Sequence, residues 1–253
     1  MNILVIPDTQ IRPDNIHLNS PLLKAIGELI LARRPDTIVH LGDHFDFPSL
    51  NQWDMKKRNQ VVFNGNELTD DIIAGRKGLA LIDRAVSEYN AAQRANKKKQ
   101  YTPRKVFCLG NHEERLKRFP ELRGLIDYED LFKGTDWEVH DFLKPVKIGG
   151  VHFVHYAYNP LSGAPIGGTA EYRLNKLKVS FVQGHEQTFK YHQEYLQDGR
   201  KLSALIGGSC YLHDEKYKGY QGNEHFRGCF FLHNVKDGLY DLEQISVERL
   251  LND

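Results

Sequence analysis

At the start of the chain, short apolar runs flank a segment in which apolar residues recur at helical spacing. Residues 3–6 form a continuous apolar run, which is typical of a buried strand. Ser20 and Pro21 predict the start of a helix, because Ser caps helices and Pro suits their first position. Apolar residues recur at helical spacing over residues 22–30, and residues 33–35 predict the end of this helix. Residues 36–40 predict a second strand, with a short β-prone run over residues 37–39. Strand, helix and strand together predict a βαβ unit with a parallel pair of strands.

A second helical pattern occupies the region that follows the polar residues around position 60. Apolar residues recur at helical spacing over residues 67–95, where Gly75 and Gly78 are candidate kinks. Residues 105–109 then predict a third strand. Residues 114–132 have helical spacing again, with an interruption at Pro120. This half of the chain therefore predicts an alternation of strands and helices.

The period changes from helical toward alternation beyond residue 137. Gly149 and Gly150 predict a hairpin turn, and Thr169 predicts the cap of a short helix that ends near residue 177. The predicted strands cover residues 138–140, 146–148, 151–156, 179–182, 191–196, 201–206, 227–233 and 239–245. The pattern predicts an α/β protein with helices outside a pair of sheets. We expect one domain over residues 1–253, with a largely helical insertion at about 48–105.

Composition is that of an ordinary globular protein. The 253 residues are 40% hydrophobic and 26% charged, and the net charge of +1 gives no global attraction to nucleic acid or membranes. No apolar run approaches the roughly 20 residues of a membrane span. Three cysteines without CxxC spacing and an N-terminus without a signal-peptide pattern predict reduced thiols and a cytoplasmic location.

Polar side chains follow several of the predicted strands at the point where each strand ends. Ligands bind at that end of the strands in open α/β sheets, so these residues are candidates for a site. One such Asp is as well explained by helix capping, but five such endings in one chain are not. The five segments are Asp8-x-Gln10, Gly42-Asp43-x-x-Asp46, Gly110-Asn111-His112-Glu113, His155 and Gly184-His185-x-Gln187.

The order of these segments resembles that of the calcineurin-like metallophosphoesterases. That family is recognised by D-x-H, GD-x-x-D, GNH[ED], a lone His and GH-x-H. This chain has DTQ, GDHFD, GNHE, His155 and GHEQ in the same order, over residues 8–187. The runs GDHFDFPSL and GNHEERLKRF look most like the bacteriophage-encoded members. The location expected for such a member is the host cytoplasm.

The resemblance implies a four-layer α/β/β/α sandwich that holds two divalent metal ions. Asp43 would bridge the ions, and one site would be completed by Asn111, His155 and His185. The other site would be completed by Asp8, Gln10 and Gln187. His112 would face the leaving group as proton donor or charge stabiliser, oriented by Asp46. Paired ions of this kind clamp the attacking and leaving oxygens of a displacement at phosphorus.

Two departures from the family pattern fall on the same metal site. The family has His where this chain has Gln10 and Gln187. An amide oxygen is a harder and weaker donor than imidazole, which favours manganese or magnesium over zinc. We therefore expect one strong and one weak site, with Mn²⁺ foremost and Mg²⁺, Fe²⁺ and Zn²⁺ as alternatives. His44 and His192 are the candidates to compensate for the missing ligands.

A further departure concerns the class of substrate. Phe47 and Pro48 stand where Ser/Thr protein phosphatases carry Arg-Gly, and the absence of that Arg argues against a protein phosphatase. Asn111, His112 and Arg115 are the predicted substrate-binding residues. Basic residues and loop tyrosines make nucleic acid a candidate partner, through phosphate contacts and stacking. They are Arg115, Lys117, Arg118, residues 56–58 and 97–99, and Tyr156, Tyr158, Tyr211, Tyr217 and Tyr220.

The leading hypothesis is a metal-dependent phosphoesterase that cleaves a phosphodiester with a metal-activated hydroxide. A phosphomonoesterase of the same fold is the first alternative. The second is a binding protein for phosphate or nucleic acid whose weak metal site has decayed, and the two Gln residues are its support. Retention of His112 and Asp46 argues against the binding protein, because a pure binder has little need of a leaving-group acid.

Overall fold

Two mixed β-sheets lie at the centre of the computed structural model, which describes residues 1–51, 56, 63–159, 161–215, 218–219 and 223–252. The six-stranded sheet contains, in spatial order, β11 (Leu239–Ser246), β10 (Gly228–Lys236), β1 (Ile3–Ile6), β2 (Thr37–His40), β3 (Arg104–Cys108) and β4 (Glu138–His140). The five-stranded sheet contains β5 (Val146–Ile148), β6 (Val151–Val154), β7 (Phe181–Gln183), β9 (Lys201–Gly207) and β8 (Phe189–Tyr195). Strands β1 to β4 are parallel, as are β6, β7 and β9, while the remaining pairs are antiparallel.

Helices cover the outer face of each sheet. The α-helices are α1 (Ile16–Arg33), α2 (Gly65–Ala95), α3 (Tyr128–Phe132), α4 (Ala170–Leu177) and α5 (Val247–Asn252). Short 3₁₀ turns occupy Pro48–Leu50, Glu113–Arg118 and Pro120–Leu122. None of the helices in the described ranges is long and apolar enough to cross a membrane.

Alternation along β1 sends its side chains to two different apolar clusters. Leu4 and Ile6 pack against α1 and α2, whereas Ile3 and Val5 face the second sheet. A third cluster lies between the far side of that second sheet and Leu174 of α4. Three apolar layers therefore separate helix, sheet, sheet and helix. The predicted four-layer α/β/β/α architecture is confirmed.

One predicted helix starts too late, and another is more divided than predicted. Helix α1 begins at Ile16 rather than at Pro21, and the Ser20 hydroxyl donates to the Ile16 carbonyl at 2.6 Å instead of capping the helix. The segment over residues 114–132 forms two 3₁₀ turns and α3, because Pro120 lacks the N–H that a continuous helix needs. The predicted interruption at Pro120 is confirmed. The predicted single domain with an insertion at about 48–105 stays a prediction.

Helix α2 runs without a break through the two glycines that were predicted as kinks. A Cβ at Gly75 would lie 2.1 Å from Phe45 Cδ1, and one at Gly78 would lie 2.8 Å from His44 Nε2. The His44 Nε2 atom lies 2.9 Å from the Gly75 carbonyl oxygen. The glycines are therefore explained by close packing of the loop after β2 against the helix, and this contact holds that loop in place.

Gly75→Ala is expected to destabilise the protein by about 1–3 kcal/mol, because the added methyl group overlaps the buried Phe45 ring. The sign is informative, since Ala alone favours a helix over Gly by about 1 kcal/mol. Denaturant unfolding measures the change. Gly65→Ala, at the open first position of α2, is the matched control. An increase in stability for Gly75→Ala would contradict this packing role.

Candidate metal centre

The loops that carry the predicted ligands meet at the carboxyl ends of both sheets. Asp8 follows β1, Asp43 follows β2, and Asn111 follows β3. The Gln10 N–H donates to the Asp43 carbonyl oxygen at 2.9 Å, which joins the first two loops. In the second sheet, the Gly184 N–H donates to the His155 carbonyl at 3.0 Å. Parallel strand order in each sheet thus gathers loops that are distant in sequence.

Three of the predicted ligands are already within reach of one ion. One ligand atom from each of Asp43, His155 and His185 lies within 4.8 Å of the other two. His155 Nε2 lies 3.3 Å from Asp43 Oδ2 and 3.0 Å from Asn111 Oδ1. The other ring nitrogen, Nδ1, donates to the Leu41 carbonyl at 2.8 Å, which leaves Nε2 as the ligand atom in neutral imidazole. Asp43, Asn111, His155 and His185 form the donor set expected for a divalent transition metal.

The second predicted set contains buried polar atoms without partners. Within the described residues, Asp8 Oδ2 and both polar atoms of the Gln10 amide make no hydrogen bond. Both side chains are at most 1% exposed. An unpaired buried polar group costs about 1–3 kcal/mol, so three such atoms on two of the predicted ligands fit a cation site. A divalent ion would be held by Asp8 Oδ2, Gln10 Oε1 and Asp43 here.

Gln187, the remaining predicted ligand, has a different environment. Its Oε1 atom accepts a hydrogen bond from the Tyr211 hydroxyl at 2.9 Å. The Tyr211 oxygen in turn accepts from Lys218 Nζ at 2.8 Å. Burial lowers the pKa of Lys218 to about 8, although Asp8 and Glu215 oppose that change. Lys218 is therefore mostly an ammonium at pH 7, close enough to Asp8 to interact with it.

Burial and mutual charge interactions set the protonation of the cluster. Burial raises the pKa of Asp8 to about 7, and the nearby Asp43 carboxylate adds to the rise. Burial would raise the pKa of Asp43 too, but His112 and His155 hold it below its usual range. Burial would lower the pKa of His155, but Asp43 and Asp8 outweigh it and raise the pKa to about 9. Burial lowers the pKa of His185 to about 4.

Four of the seven predicted ligands have a left-handed backbone. The φ angles are 44° for Gln10, 50° for Asp43, 70° for His185 and 54° for Gln187. A non-glycine residue in this conformation costs on the order of 1 kcal/mol, and such residues concentrate at functional sites. These loops are therefore shaped for the positions of their side chains rather than for local backbone preference.

The Glu113 carboxylate holds the loop that carries Asp43. One oxygen accepts from the backbone N–H groups of His44 and Phe45, and the other accepts from those of Asp43 and Gly110, all at 2.8–3.0 Å. The side chain is fully buried. Burial raises the pKa of Glu113, although the Phe45 and Gly110 N–H groups oppose the rise. The sequence analysis assigned no role to Glu113, although it is the fourth residue of the GNHE segment.

His112 and Asp46 form a hydrogen-bonded pair beside the cluster. His112 Nδ1 lies 2.7 Å from Asp46 Oδ1, and His112 Nε2 lies 3.7 Å from Asp43 Oδ2. The other Asp46 oxygen accepts from Arg12 at 2.8 Å, and Arg12 also pairs with Glu215 at 3.1 Å. Burial would raise the pKa of Asp46, but the hydrogen bond from His112 outweighs it and the pKa is about 2. Arg12 was not identified from the sequence.

The family follows from a comparison with known proteins. A family model described as calcineurin-like phosphoesterase matches residues 1–225 of the chain. The chain belongs to the calcineurin-like phosphoesterase family. The family consists of dinuclear, metal-dependent hydrolases of phosphoester bonds. The donor set built by Asp8, Gln10, Asp43, Asn111, His155 and His185 suits such ions.

Two solved structures are similar to this phosphoesterase. One is an archaeal phosphodiesterase, with 13% identity and a TM-score of 0.42 over 96% of this chain and 99% of that one. The other is Yfce, a phosphoesterase from E. coli, with 14% identity and a TM-score of 0.44 over 97% and 100%. None of the curated proteins compared with this chain matches it. The assignment rests on the family model alone.

Neither histidine suggested as a replacement ligand is turned toward the phosphoesterase site. His44 Nδ1 lies 2.7 Å from the Thr9 hydroxyl, and its Nε2 faces the Gly75 carbonyl in α2. His192 pairs with Ala204 across β8 and β9, on the sheet face that packs under α4. The suggestion that they compensate for the two Gln residues is therefore wrong.

Among the described residues, the basic side chains of Arg115, Lys117 and residues 97–99 do not surround one cleft. Arg115 Nη1 donates to the Asp46 carbonyl at 2.6 Å, so this guanidinium braces a loop beside the site. Lys117 lies over the Tyr128 ring at 4.2 Å. Residues 97–99 precede β3, whereas Asn111 follows it, so the two lie at opposite ends of this strand. Lys57, Arg58, Tyr217 and Tyr220 lie outside the described residues.

Glu113→Gln is expected to destabilise this phosphoesterase by about 2–4 kcal/mol. A Gln amide has one acceptor oxygen, so its NH₂ group would face two of the four backbone N–H groups that Glu113 binds. Thermal unfolding of the metal-free protein measures the effect. Glu121→Gln, in an exposed turn, is the control. Equal stability of the two variants would show that the Glu113 contacts do not hold the loop.

The affinity for the first divalent ion is expected to rise about tenfold per pH unit between pH 7 and 9, and to level off above pH 9. The raised pKa of His155 means that this ring carries a proton below pH 9, which the ion must displace, whereas His185 is already neutral. Calorimetry in buffers with different ionisation enthalpies counts the protons. Release of no proton at pH 7 would be inconsistent with His155 as a ligand.

Proposed function

We propose that this phosphoesterase hydrolyses a phosphodiester, with divalent ions held by the two donor sets and with His112 as proton donor to the leaving oxygen. The main support is the position of Asp43, whose carboxylate lies beside both His155 and His112. Its Oδ2 atom is 3.3 Å from His155 Nε2 and 3.7 Å from His112 Nε2. One carboxylate thus borders both the metal ligands and the candidate acid.

The two donor sets divide the ligands by strength. Asp43, Asn111, His155 and His185 are the proposed tight site, and Asp8 and Gln10 with Asp43 are the proposed weak one, with Gln187 beside them. Bound divalent ions would supply Lewis-acid stabilisation of phosphate charge and a nucleophilic hydroxide at neutral pH. Mn²⁺ is the preferred candidate because it accepts imidazole, carboxylate and amide oxygen together.

His112 is proposed to protonate the leaving oxygen. Its Nδ1–H donates to Asp46, which fixes the ring and directs Nε2 toward the cluster. Burial would lower the pKa of His112, but the Asp43 carboxylate and the contact with Asp46 raise it. A protonated ring is the form that donates. Asp46 is in turn held by Arg12, so the ring has a fixed support on its far side.

The proposed preference for a diester follows from the charges around the site. A diester carries one negative charge at phosphorus, whereas a monoester near pH 7 carries close to two. Arg12 is paired with Asp14, Asp46 and Glu215, and Arg115 Nη1 donates to backbone carbonyls. Both guanidinium groups are therefore engaged in contacts within the protein. Fewer cationic side chains are then available to bind the two negative charges of a monoester.

Other attributes stay at the level of sequence predictions. The bacteriophage-type resemblance rests on the runs GDHFDFPSL and GNHEERLKRF, and the cytoplasmic location rests on cysteine usage. Nucleic acid remains a candidate substrate through the exposed Arg118 near the 3₁₀ turn after Asn111. Tyr211 does not contribute base stacking to this proposal, because its ring is fully buried.

His112→Ala is expected to lower kcat for bis-p-nitrophenyl phosphate by about 10²–10⁴-fold, the usual contribution of a general acid. Binding of the first Mn²⁺ is expected to stay unchanged, since His112 is not a proposed ligand. Release of p-nitrophenol with Mn²⁺, Mg²⁺ and Zn²⁺ in turn measures the rates. His17→Ala, at an exposed position of α1, is the matched control.

Two results would replace the proposal. Faster hydrolysis of p-nitrophenyl phosphate than of the diester would identify a phosphomonoesterase. Absence of turnover with every metal, together with unchanged phosphate binding in His112→Ala, would identify a binding protein. The specific observation that supports a binding protein is the presence of Gln10 and Gln187 where the family has His.

A further inference from the structure

A buried relay of hydrogen bonds ends on one of the predicted metal ligands. Lys218 Nζ donates to the Tyr211 oxygen at 2.8 Å, and the Tyr211 hydroxyl donates to Gln187 Oε1 at 2.9 Å. Tyr211 and Gln187 are 0% and 3% exposed, respectively. The relay approaches the second donor set from the loop before β10, which carries none of the family's motifs.

The chemistry of the three groups fixes the direction of the relay. An ammonium only donates hydrogen bonds, so the Tyr211 oxygen is the acceptor toward Lys218. The single hydroxyl proton of Tyr211 is then directed to Gln187. Only the carbonyl oxygen of the Gln187 amide accepts such a proton. The amide orientation is therefore set by Lys218 through Tyr211, and the engaged atom is the one that a metal would need.

Packing keeps the Tyr211 hydroxyl in this position. The Tyr211 ring stacks on the His213 ring, with centroids 4.2 Å apart, and the Arg227 guanidinium lies 5.2 Å from the Tyr211 centroid. His213 is itself held by Glu215 at 2.8 Å. The ring has no room to swing its hydroxyl away from Gln187 without disturbing these neighbours. The hydrogen bond to Gln187 is thus a built feature of the site.

Charge acts in the same direction as geometry. The Lys218 side chain interacts electrostatically with Asp8, a member of the second donor set. A positive charge at this place repels a second cation and attracts a phosphate oxyanion. Gln10 differs from Gln187, because both of its amide atoms lack partners within the described residues. The two Gln residues of the weak site are therefore not equivalent.

We propose that Tyr211 and Lys218 are positioning residues that weaken ligation of the second metal by Gln187, because Tyr211 already occupies one of the two lone pairs of Gln187 Oε1, and that Lys218 places a positive charge within electrostatic range of Asp8. The second ion is then held weakly, and the Lys218 ammonium adds to the attraction of the phosphoryl group at that site. This inference rests on the proposed function, because it presupposes the tight site at Asp43, Asn111, His155 and His185.

Calorimetric titration with Mn²⁺ tests the metal half of the proposal. The unaltered protein is expected to bind one ion tightly and a second weakly. Tyr211→Phe is expected to strengthen the second binding about tenfold, because Gln187 Oε1 is released for ligation. Lys218→Met is expected to change it in the same direction, because the repulsion from the ammonium is removed. The first binding should be equal in all three proteins.

Inorganic phosphate tests the other half. Its affinity for the protein with one Mn²⁺ bound is expected to fall about tenfold in Lys218→Met, which lacks the ammonium, and to fall less in Tyr211→Phe. Tyr195→Phe and Lys201→Met are matched controls, because Lys201 lies over the exposed Tyr195 ring at 5.3 Å, in β9 and β8. Both controls should bind Mn²⁺ and phosphate as the unaltered protein does.

The outcomes separate this inference from the function on which it rests. Unchanged or weaker second binding in the variants, or unchanged phosphate affinity in Lys218→Met, would overturn the role of the relay while the first ion is still bound. Absence of any tight Mn²⁺ binding in the unaltered protein would instead contradict the proposed function. If Tyr211→Phe does not fold, Lys218→Met still tests the charge in both titrations, because it leaves the Tyr211 ring and its hydrogen bond to Gln187 in place, and the absence of both effects would overturn the proposal.

Discussion

Four backbone N–H groups from two loops converge on the Glu113 carboxylate, and the position of Asp43 depends on them. Asp43 has a left-handed backbone, which is uncommon outside glycine although Asp tolerates it better than most residues. The energy that holds it there comes from hydrogen bonds to a buried, charged acceptor, which are among the stronger ones in proteins. The packing of Phe45 and His44 against glycines of α2 supports the same loop from below. Asp43 is thereby rigid before any ion arrives.

Burying two carboxylates close together costs electrostatic free energy, and this cost explains which groups of the cluster are protonated. Asp8 and Asp43 are buried carboxylates, and burial raises the pKa of Asp8 to about 7 while His112 and His155 keep the pKa of Asp43 low. In the metal-free protein, protons on the imidazoles therefore neutralise part of the negative charge that a metal ion would otherwise neutralise. Divalent ions and protons compete for the same negative charge. The raised pKa of His155, about 9, is the measure of that competition.

The sequence was sufficient to predict where the candidate ligands meet, because each of them follows the end of a strand. A loop after a buried strand is recognisable from its neighbours, and parallel order then brings such loops together. This explains why the sequence predicts that Asp43, Asn111, His155 and His185 lie close together, while their roles as metal ligands follow from the family resemblance and stay a prediction. The start of α1 was not, because Ser20 and Pro21 carry the usual signals of a helix N-terminus but lie inside it. Local signals decide local structure only where no stronger packing overrides them.

Residues that support the ligands were harder to find from sequence. Glu113 was visible as part of GNHE, but its four backbone partners lie in positions that only the folded chain defines. Arg12 reaches Asp46 and Glu215 across 34 and 203 positions of sequence. No periodicity encodes such contacts. The residues that support a site can be found only from the tertiary structure. Candidate ligands can be found from the sequence, because few residue types bind metal ions.

The same distinction applies to the two glutamines that depart from the family pattern. From sequence they are alike, since each replaces a His on one metal site. In the folded chain Gln10 lies with both amide atoms unpaired within the described residues, whereas Gln187 Oε1 accepts from Tyr211. A ligand atom without a hydrogen bond and one that already accepts a hydrogen bond contribute unequally to the affinity for the same cation. The identity of a side chain sets what it is able to bind, and its hydrogen-bond partners decide whether that capacity is used.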